Sequence, residues 1–228
     1  MNKFDNISRF VMPVIFVIIL FAIPIFFNKT HSDINNLNIQ ISSNYEIYLE
    51  KLQSISASVD YQSKKKIIVL KSRDFIMKSN PKILIDNAYK IAELNYELCE
   101  RYNQDPILIL ALQYYESRFD SLAISSAGAV GLCQIWPSTG RLLANGLGIQ
   151  YHETILKNSR INVLMCVYYL NNLFSIYNDV RFVLAEYNGG PRNAYFLRIG
   201  SNDISSETKQ YVNAVILLYN KLKDEFNT

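Results

Sequence analysis

Asp105-Pro-Ile-Leu-Ile-Leu-Ala-Leu-Gln-Tyr-Tyr-Glu116-Ser117 is the stretch on which the reading of this chain turns. An aspartate can accept hydrogen bonds from the free N–H groups of a first helical turn. A proline after it lacks an N–H and has its φ preset for the first helical position. The unbroken apolar run from Ile107 to Leu112 then predicts a buried helix reaching about Glu116. A carboxyl closing such a helix meets the negative end of the helix dipole, beside Tyr114 and Tyr115. Dipole and desolvation both disfavour its ionised form and raise its pKa, which suits a general acid near neutral pH. A surface glutamate ending a helix produces the same local pattern, so this stretch alone leaves both readings open.

Outward from it, helical spacing recurs. Leu84, Ala88, Ile91, Leu98 and Tyr102 fall on one helical face. Asn162 to Leu173 includes Val-Leu-Met-Cys-Val-Tyr-Tyr-Leu, apolar on nearly every side, which predicts a central buried helix. Asp179 caps a further helix carrying Val180, Val183 and Leu184, and Gly189-Gly190-Pro191 is read as its stop. A last helix begins at Ser205 or Ser206 and aligns Tyr211, Val215, Leu218 and Leu222. Alternating strand patterns of any length are missing, so the fold class is mainly α, with the globular domain over residues 81–226. All eight glycines lie from Gly128 onward, so every place that needs unusual backbone is in the second half.

The first eighty residues read differently. Phe10 to Phe27 holds eighteen residues without a charge, enough for a helix of about 27 Å against a hydrocarbon core of roughly 30 Å. Lys3 and Arg9 before it favour a cytoplasmic N-terminus, with Lys29 weakening the bias. A cleaved signal peptide is the alternative, but the apolar run is long and no small-x-small site follows it. The reading is a membrane anchor over 1–30, then a polar Asn- and Ser-rich linker (28–44) and a helical stalk, together 31–80. The stalk shows apolar spacing at Tyr45, Tyr48, Leu49, Leu52, Ile55 and Val59, and its Lys64-Lys65-Lys66 run is read as a solvated face. Either way the rest of the chain works outside the cytoplasm.

Composition excludes several classes. With 228 residues, 50% hydrophobic and 13% aromatic, the chain can bury a core and is not disordered. Its 23 basic against 20 acidic residues give a net charge of +3, too little to argue for a nucleic-acid partner. Three scattered cysteines (Cys99, Cys133, Cys166) suit neither a disulfide framework nor a zinc site, and with His31 far away a nucleophilic triad could only use His152. No metal and no cofactor is expected. The loop Ser125-Ser-Ala-Gly-Ala-Val-Gly131-Leu-Cys-Gln134-Ile-Trp136-Pro137 lets backbone pass close to something and ends at the sole tryptophan. An aromatic plane with polar neighbours can hold a sugar ring, as a buried tryptophan can also be purely structural.

Four segments in order resemble one family: Glu116-Ser117, then Gly131-Leu-Cys-Gln134, Glu186-Tyr-Asn-Gly-Gly190 and Glu207-Thr-Lys-Gln-Tyr211-Val212. They are similar to the ES, GLMQ, AYNxG and ETxxYV signatures of lytic transglycosylases of the soluble type, glycoside hydrolase family 23, over roughly Leu84 to Leu222. The resemblance implies a goose-type, lysozyme-like helical fold acting on peptidoglycan glycan strands. It also implies cleavage of the MurNAc–GlcNAc β-1,4 bond, leaving a 1,6-anhydro-MurNAc end. Glu116 matches the family's single acid/base. Ser117 and Tyr211 match residues expected to orient it, and Gln134, Tyr187 and Asn188 match cleft residues that contact the saccharide or brace the cleft. Glu207 and Thr208 are expected to begin and fasten the last helix. With the anchor, this implies a single-pass protein of the bacterial inner membrane, its domain in the periplasm, serving the wall or a secretion, conjugation or division complex.

Two positions depart from the pattern. Cys133 stands where the family has methionine, and Glu186 where it has a small apolar residue. Glu186 is read as facing solvent, because neighbouring helical positions point in different directions and Tyr187 is the matched cleft residue. A second acid in the cleft would instead make simple hydrolysis conceivable. Two other readings therefore stand beside the transglycosylase: a true lysozyme, and a non-catalytic glycan-binding or assembly component.

Overall fold

The computed structural model describes residues 3–227, and within them the side chains of 16, 17 and 19–226. Its helices are α1 (Lys3–Ser79), α2 (Ile85–Arg101), α3 (Pro106–Glu116), α4 (Pro137–Gly146), α5 (Ser159–Ile176), α6 (Val180–Arg198) and α7 (Ser206–Asn227), with one 3-10 turn at Glu153–Lys157. Among the described residues there is no strand, only isolated bridges from Val130 to Ile124 and to Ile135. The class is mainly α.

The chain divides after Tyr61 into two units. The described residues of the first are helix alone. Residues 28–44, expected as a linker, are helical: no glycine or proline stands between Ile25 and Asn80, and asparagine and serine lower helix propensity without stopping a helix. Among the described residues no helix is long and apolar enough to cross a membrane. The Phe10–Phe27 run behind the anchor reading lies in part outside the described side chains.

The second unit starts at Gln62, upstream of the expected Pro81. Val69, Ile76 and Ser72, on the last turns of α1, are buried with the core. Phe75 lies 5.6 Å from the ring of Tyr114 and 6.0 Å, edge-on, from that of Phe119. The stalk's end is thus part of the packed domain. At its centre is α3, whose residues Ile107 to Gln113 are all buried. It packs against α2 on one side and α7 on the other, while α5 packs against α2, α4 and α6.

The caps form as their chemistry requires. Asp105 Oδ1 accepts from Ile107 N at 2.9 Å with Pro106 at the first position. Asp179 and Asn158 accept from Arg181 N and Ile161 N at the starts of α6 and α5. The Gly-Gly-Pro stop needs correction. Helix resumes after a break at Gly190 (φ 76°, ψ 175°), because Pro191 opens a new helical segment as readily as it forbids the old one. Gln113, the polar residue inside α3, exchanges two amide hydrogen bonds with Asn95 of α2, at 2.8 and 2.9 Å. Both are buried, and the reciprocal pair satisfies them while fixing the register of the two helices.

Candidate active site

Glu116 closes α3 where the chain reverses sharply. Arg118 and Phe119 both take positive φ (54° and 63°), a conformation that side-chain-bearing residues adopt only under tertiary constraint. The constraint is visible: Phe119 is 1% exposed, and the Arg118 guanidinium lies 3.7 Å over the Tyr114 ring. The carboxyl is therefore held at a rigid corner. Its Oε1 accepts a hydrogen bond from the Tyr211 hydroxyl of α7 at 2.5 Å. Desolvation pushes the Glu116 pKa up to about 7, against the lowering effect of the Tyr211 bond. The Tyr211 phenol is itself raised well above its usual value, by burial and then by the neighbouring carboxylate, so it stays a donor.

Facing this corner is the loop from Val130 to Gln134, gripped from three helices. Ser117 Oγ, at the end of α3, donates to Leu132 O at 2.8 Å. Tyr187 Oη, on α6, donates to Cys133 O at 2.7 Å. Asn162, on α5, donates from Nδ2 to Val130 O (2.8 Å) and Leu156 O (2.9 Å) and accepts from Cys133 N at 2.9 Å. Every polar atom of the Asn162 amide is spent on positioning this loop. Gly131 passes so close to it that a Cβ there would meet Asn162 and sit 2.7 Å from Leu156 O, with φ at +83°. Gln134, at φ +47°, folds its amide back onto Gly131 O (2.9 Å) and Ala123 O (3.3 Å).

Several expected roles are refined by this geometry. Ser117 bonds the loop rather than the Glu116 carboxyl. Gln134 and Tyr187 spend their polar groups as braces. Thr208, 2% exposed, fastens α7 through Ser205 Oγ at 2.8 Å. Among the described residues none hydrogen-bonds the Asn188 amide, which faces a cavity of about 370 Å³ with Trp136, Tyr169 and Gln134. Trp136 is 49% exposed there, an open aromatic plate and not a core residue. Cys133 is buried, its thiol raised by desolvation, so no reactive thiol faces the cleft. His152 is exposed and pairs with Thr154 Oγ1 at 3.0 Å, away from any nucleophile arrangement.

Glu186 does not face solvent. It lines the same cavity, half-buried, and its Oε2 accepts from Tyr177 Oη at 2.5 Å. Glu186, Tyr187 and Asn188 all line this cavity, on the last regular turn of α6 before the break at Gly190.

A family model described as the transglycosylase SLT domain matches residues 93–210, just over half of the chain. The chain belongs to the transglycosylase SLT domain family. The match takes in Glu116, the loop to Gln134, Glu186 to Asn188 and Lys209-Gln210, and stops one residue before Tyr211. The chain also resembles the X-ray structure of an inactive glutamate-to-glutamine mutant of the lytic transglycosylase Slt from Pseudomonas aeruginosa. There the TM-score is 0.52 and the identity 23%, over 58% of this chain and 24% of that one. The 70 kDa soluble lytic transglycosylase of Escherichia coli is similar at a TM-score of 0.49 and 21% identity, over 67% of this chain and 28% of that one. The SLT domain protein thus spans about a quarter of the length of these solved structures. The Pseudomonas likeness supports a shared helical fold.

Proposed function

We propose that this SLT domain protein is a peptidoglycan lytic transglycosylase in which Glu116 is the sole acid/base. The observation that carries the reading is a carboxyl with its pKa lifted to about 7, bonded to Tyr211 and facing a braced loop. Near neutral pH it is protonated often enough to give a proton and ionised often enough to take one back. In the reaction, Glu116 gives its proton to the glycosidic oxygen as the C1–O bond breaks, freeing the 4-hydroxyl of the departing GlcNAc. The C6 hydroxyl oxygen of the MurNAc then bonds to C1, and its proton passes to the Glu116 carboxylate, restoring the acid. The nucleophile is tethered, and intramolecular attack can reach an effective molarity of order 10⁵–10⁸ M, so no second catalytic carboxylate is needed.

Asn188 and Trp136 are assigned to the glycan, by a free amide and an exposed ring beside the loop. Ser117, Gln134 and Tyr187 are assigned to the wall that holds it. The apolar Phe10–Phe27 run, with Lys3 and Arg9 before it, supports single-pass anchoring in the bacterial inner membrane with the domain on the periplasmic side. Service in a secretion, conjugation or division complex is consistent with that placement.

The second reading, a hydrolase using water, is favoured by one observation, the placement of Glu186 in the cavity wall. Purified peptidoglycan incubated with the protein and with Glu116→Gln, read by mass spectrometry of released muropeptides, separates the readings. Anhydro ends, one water lighter, that vanish in Glu116→Gln support the transglycosylase. Reducing ends that vanish also in Glu186→Gln support hydrolysis. Binding without release under conditions where an active lysozyme cuts supports a glycan-binding component.

A further inference from the structure

The first unit of the chain carries a pattern that the catalytic reading does not use. Ile34, Asn38, Ile41, Tyr45, Tyr48, Leu52, Ile55 and Val59 follow one another at alternating steps of four, three, four, three, four, three and four residues. This is the 3.5-residue repeat of a coiled-coil seam, with Asn38, Tyr45, Leu52 and Val59 at the a positions and the others at d. Seven of the eight are apolar, and each of those seven is more than half exposed on α1. A soluble surface seldom leaves a continuous apolar stripe of that size open, here running about 39 Å at about 1.5 Å per residue.

We infer that residues 34–59 form a parallel, in-register coiled coil with a second copy of this same chain. Three features select a second copy. Asn38 is the sole polar residue of the seam, and an amide is satisfied best by an identical amide opposite, which offers both donor and acceptor; a single asparagine at an a position sets register in this way. In a parallel pair each g residue meets the partner's e residue five positions on, which places Leu37 by Ser42, Asn44 by Leu49 and Lys51 by Ser56. No like charges oppose one another, and Leu37 and Leu49 widen the apolar strip. Sequence from 25 to 80 lacks glycine and proline, so nothing interrupts the seam. Asn38 draws the assembly toward two strands, while isoleucine at d with Leu52 at a draws it toward more.

The test uses the full chain in detergent, by sedimentation equilibrium and by disulfide cross-linking with oxidised glutathione, which takes up the electrons of the two thiols. The native cysteines are buried, leaving the reaction to an introduced thiol. Ile41→Cys and Ile55→Cys, at d, are expected to link two chains, while Ser43→Cys and Ala57→Cys, on the outer face, are not. Leu52→Asp with Ile55→Asp should reduce the sedimenting mass to that of one chain. Asn38→Ile should tighten assembly at least about tenfold while loosening its register. A single-chain mass for the unaltered protein overturns the inference, as do seam and outer-face thiols that cross-link equally, or an oligomer whose d thiols do not pair.

Discussion

Tyr211 donates its hydroxyl hydrogen to Glu116 Oε1 at 2.5 Å, joining α7 to the end of α3 across 95 positions of sequence. The bond favours the ionised carboxyl while burial favours the neutral one, and burial prevails. The acid's strength is therefore a balance between a packing choice and one phenol, and each side can be removed separately.

Tyr211→Phe removes the phenol alone. A hydrogen bond to a charged group is worth about 1.5–3 kcal/mol, so kcat should fall roughly 10- to 100-fold with KM little changed. The falling alkaline limb of the pH–rate profile should move to higher pH, because the lost donor was lowering the Glu116 pKa. A loss of rate with the limb unmoved would leave Tyr211 a packing residue.

Glu116→Gln should abolish turnover and stabilise the fold in a pH-dependent way. The free carboxyl titrates near 4.5 and the folded one near 7. Below 4.5 both states are protonated and the glutamate costs nothing. Between 4.5 and 7 the unfolded chain releases its proton first, so stability falls with rising pH, and above 7 the loss is constant. With some discount for partial exposure, the penalty relieved by glutamine is about 2–3 kcal/mol. Urea unfolding at pH 4 and pH 8 should show a gap between variant and native protein near zero at the first and near full size at the second.

Much of this site was legible in the residues, and the illegible part has a common cause. Glu116 and the Asp105-Pro106 cap lie within one helix, where dipole, capping and apolar spacing act locally, and they sit where that chemistry places them. Asn162 escaped notice as a brace because its three partners lie 6 to 32 positions away, though an asparagine in an otherwise apolar helix did signal a buried amide in need of partners. Glu186 was misplaced because helical periodicity gives the direction of a side chain but not what stands opposite it, and the Tyr177 hydroxyl and the cavity wall are set only by tertiary structure. The last turns of α1 were read as stalk because Val69 and Ile76 find their partners only in tertiary structure.

Ser117→Ala and Tyr187→Phe remove hydroxyls from adjacent carbonyls of the loop, Leu132 O and Cys133 O. Each buried acceptor left without its donor should cost about 1–3 kcal/mol. The two grips fix the same short segment, so their effects should not add. A double-mutant cycle in thermal unfolding is expected to give a coupling of at least about 0.5 kcal/mol. Simple additivity would mean that the loop keeps its shape without them.

Gly131→Ala and Gly128→Ala separate backbone conformation from space. Both glycines have positive φ, +83° and +93°, so either alanine bears the strain of the left-handed region, about 1–3 kcal/mol. At Gly128 nothing lies within 4 Å of the added Cβ, and that strain should be the whole effect. At Gly131 the Cβ also collides with the Asn162 amide and the Leu156 carbonyl. The amide cannot retreat without surrendering its bonds to Val130 O and Cys133 N, nor the carbonyl without losing the Asn162 amide that donates to it. Gly131→Ala should therefore lose several kcal/mol more than Gly128→Ala in parallel denaturation curves, and with it the loop opposite Glu116. Relief of the difference by Asn162→Ser, which shortens the obstructing side chain, would identify the clash as its source; equal losses at the two glycines would deny that the loop is held against α5 at all.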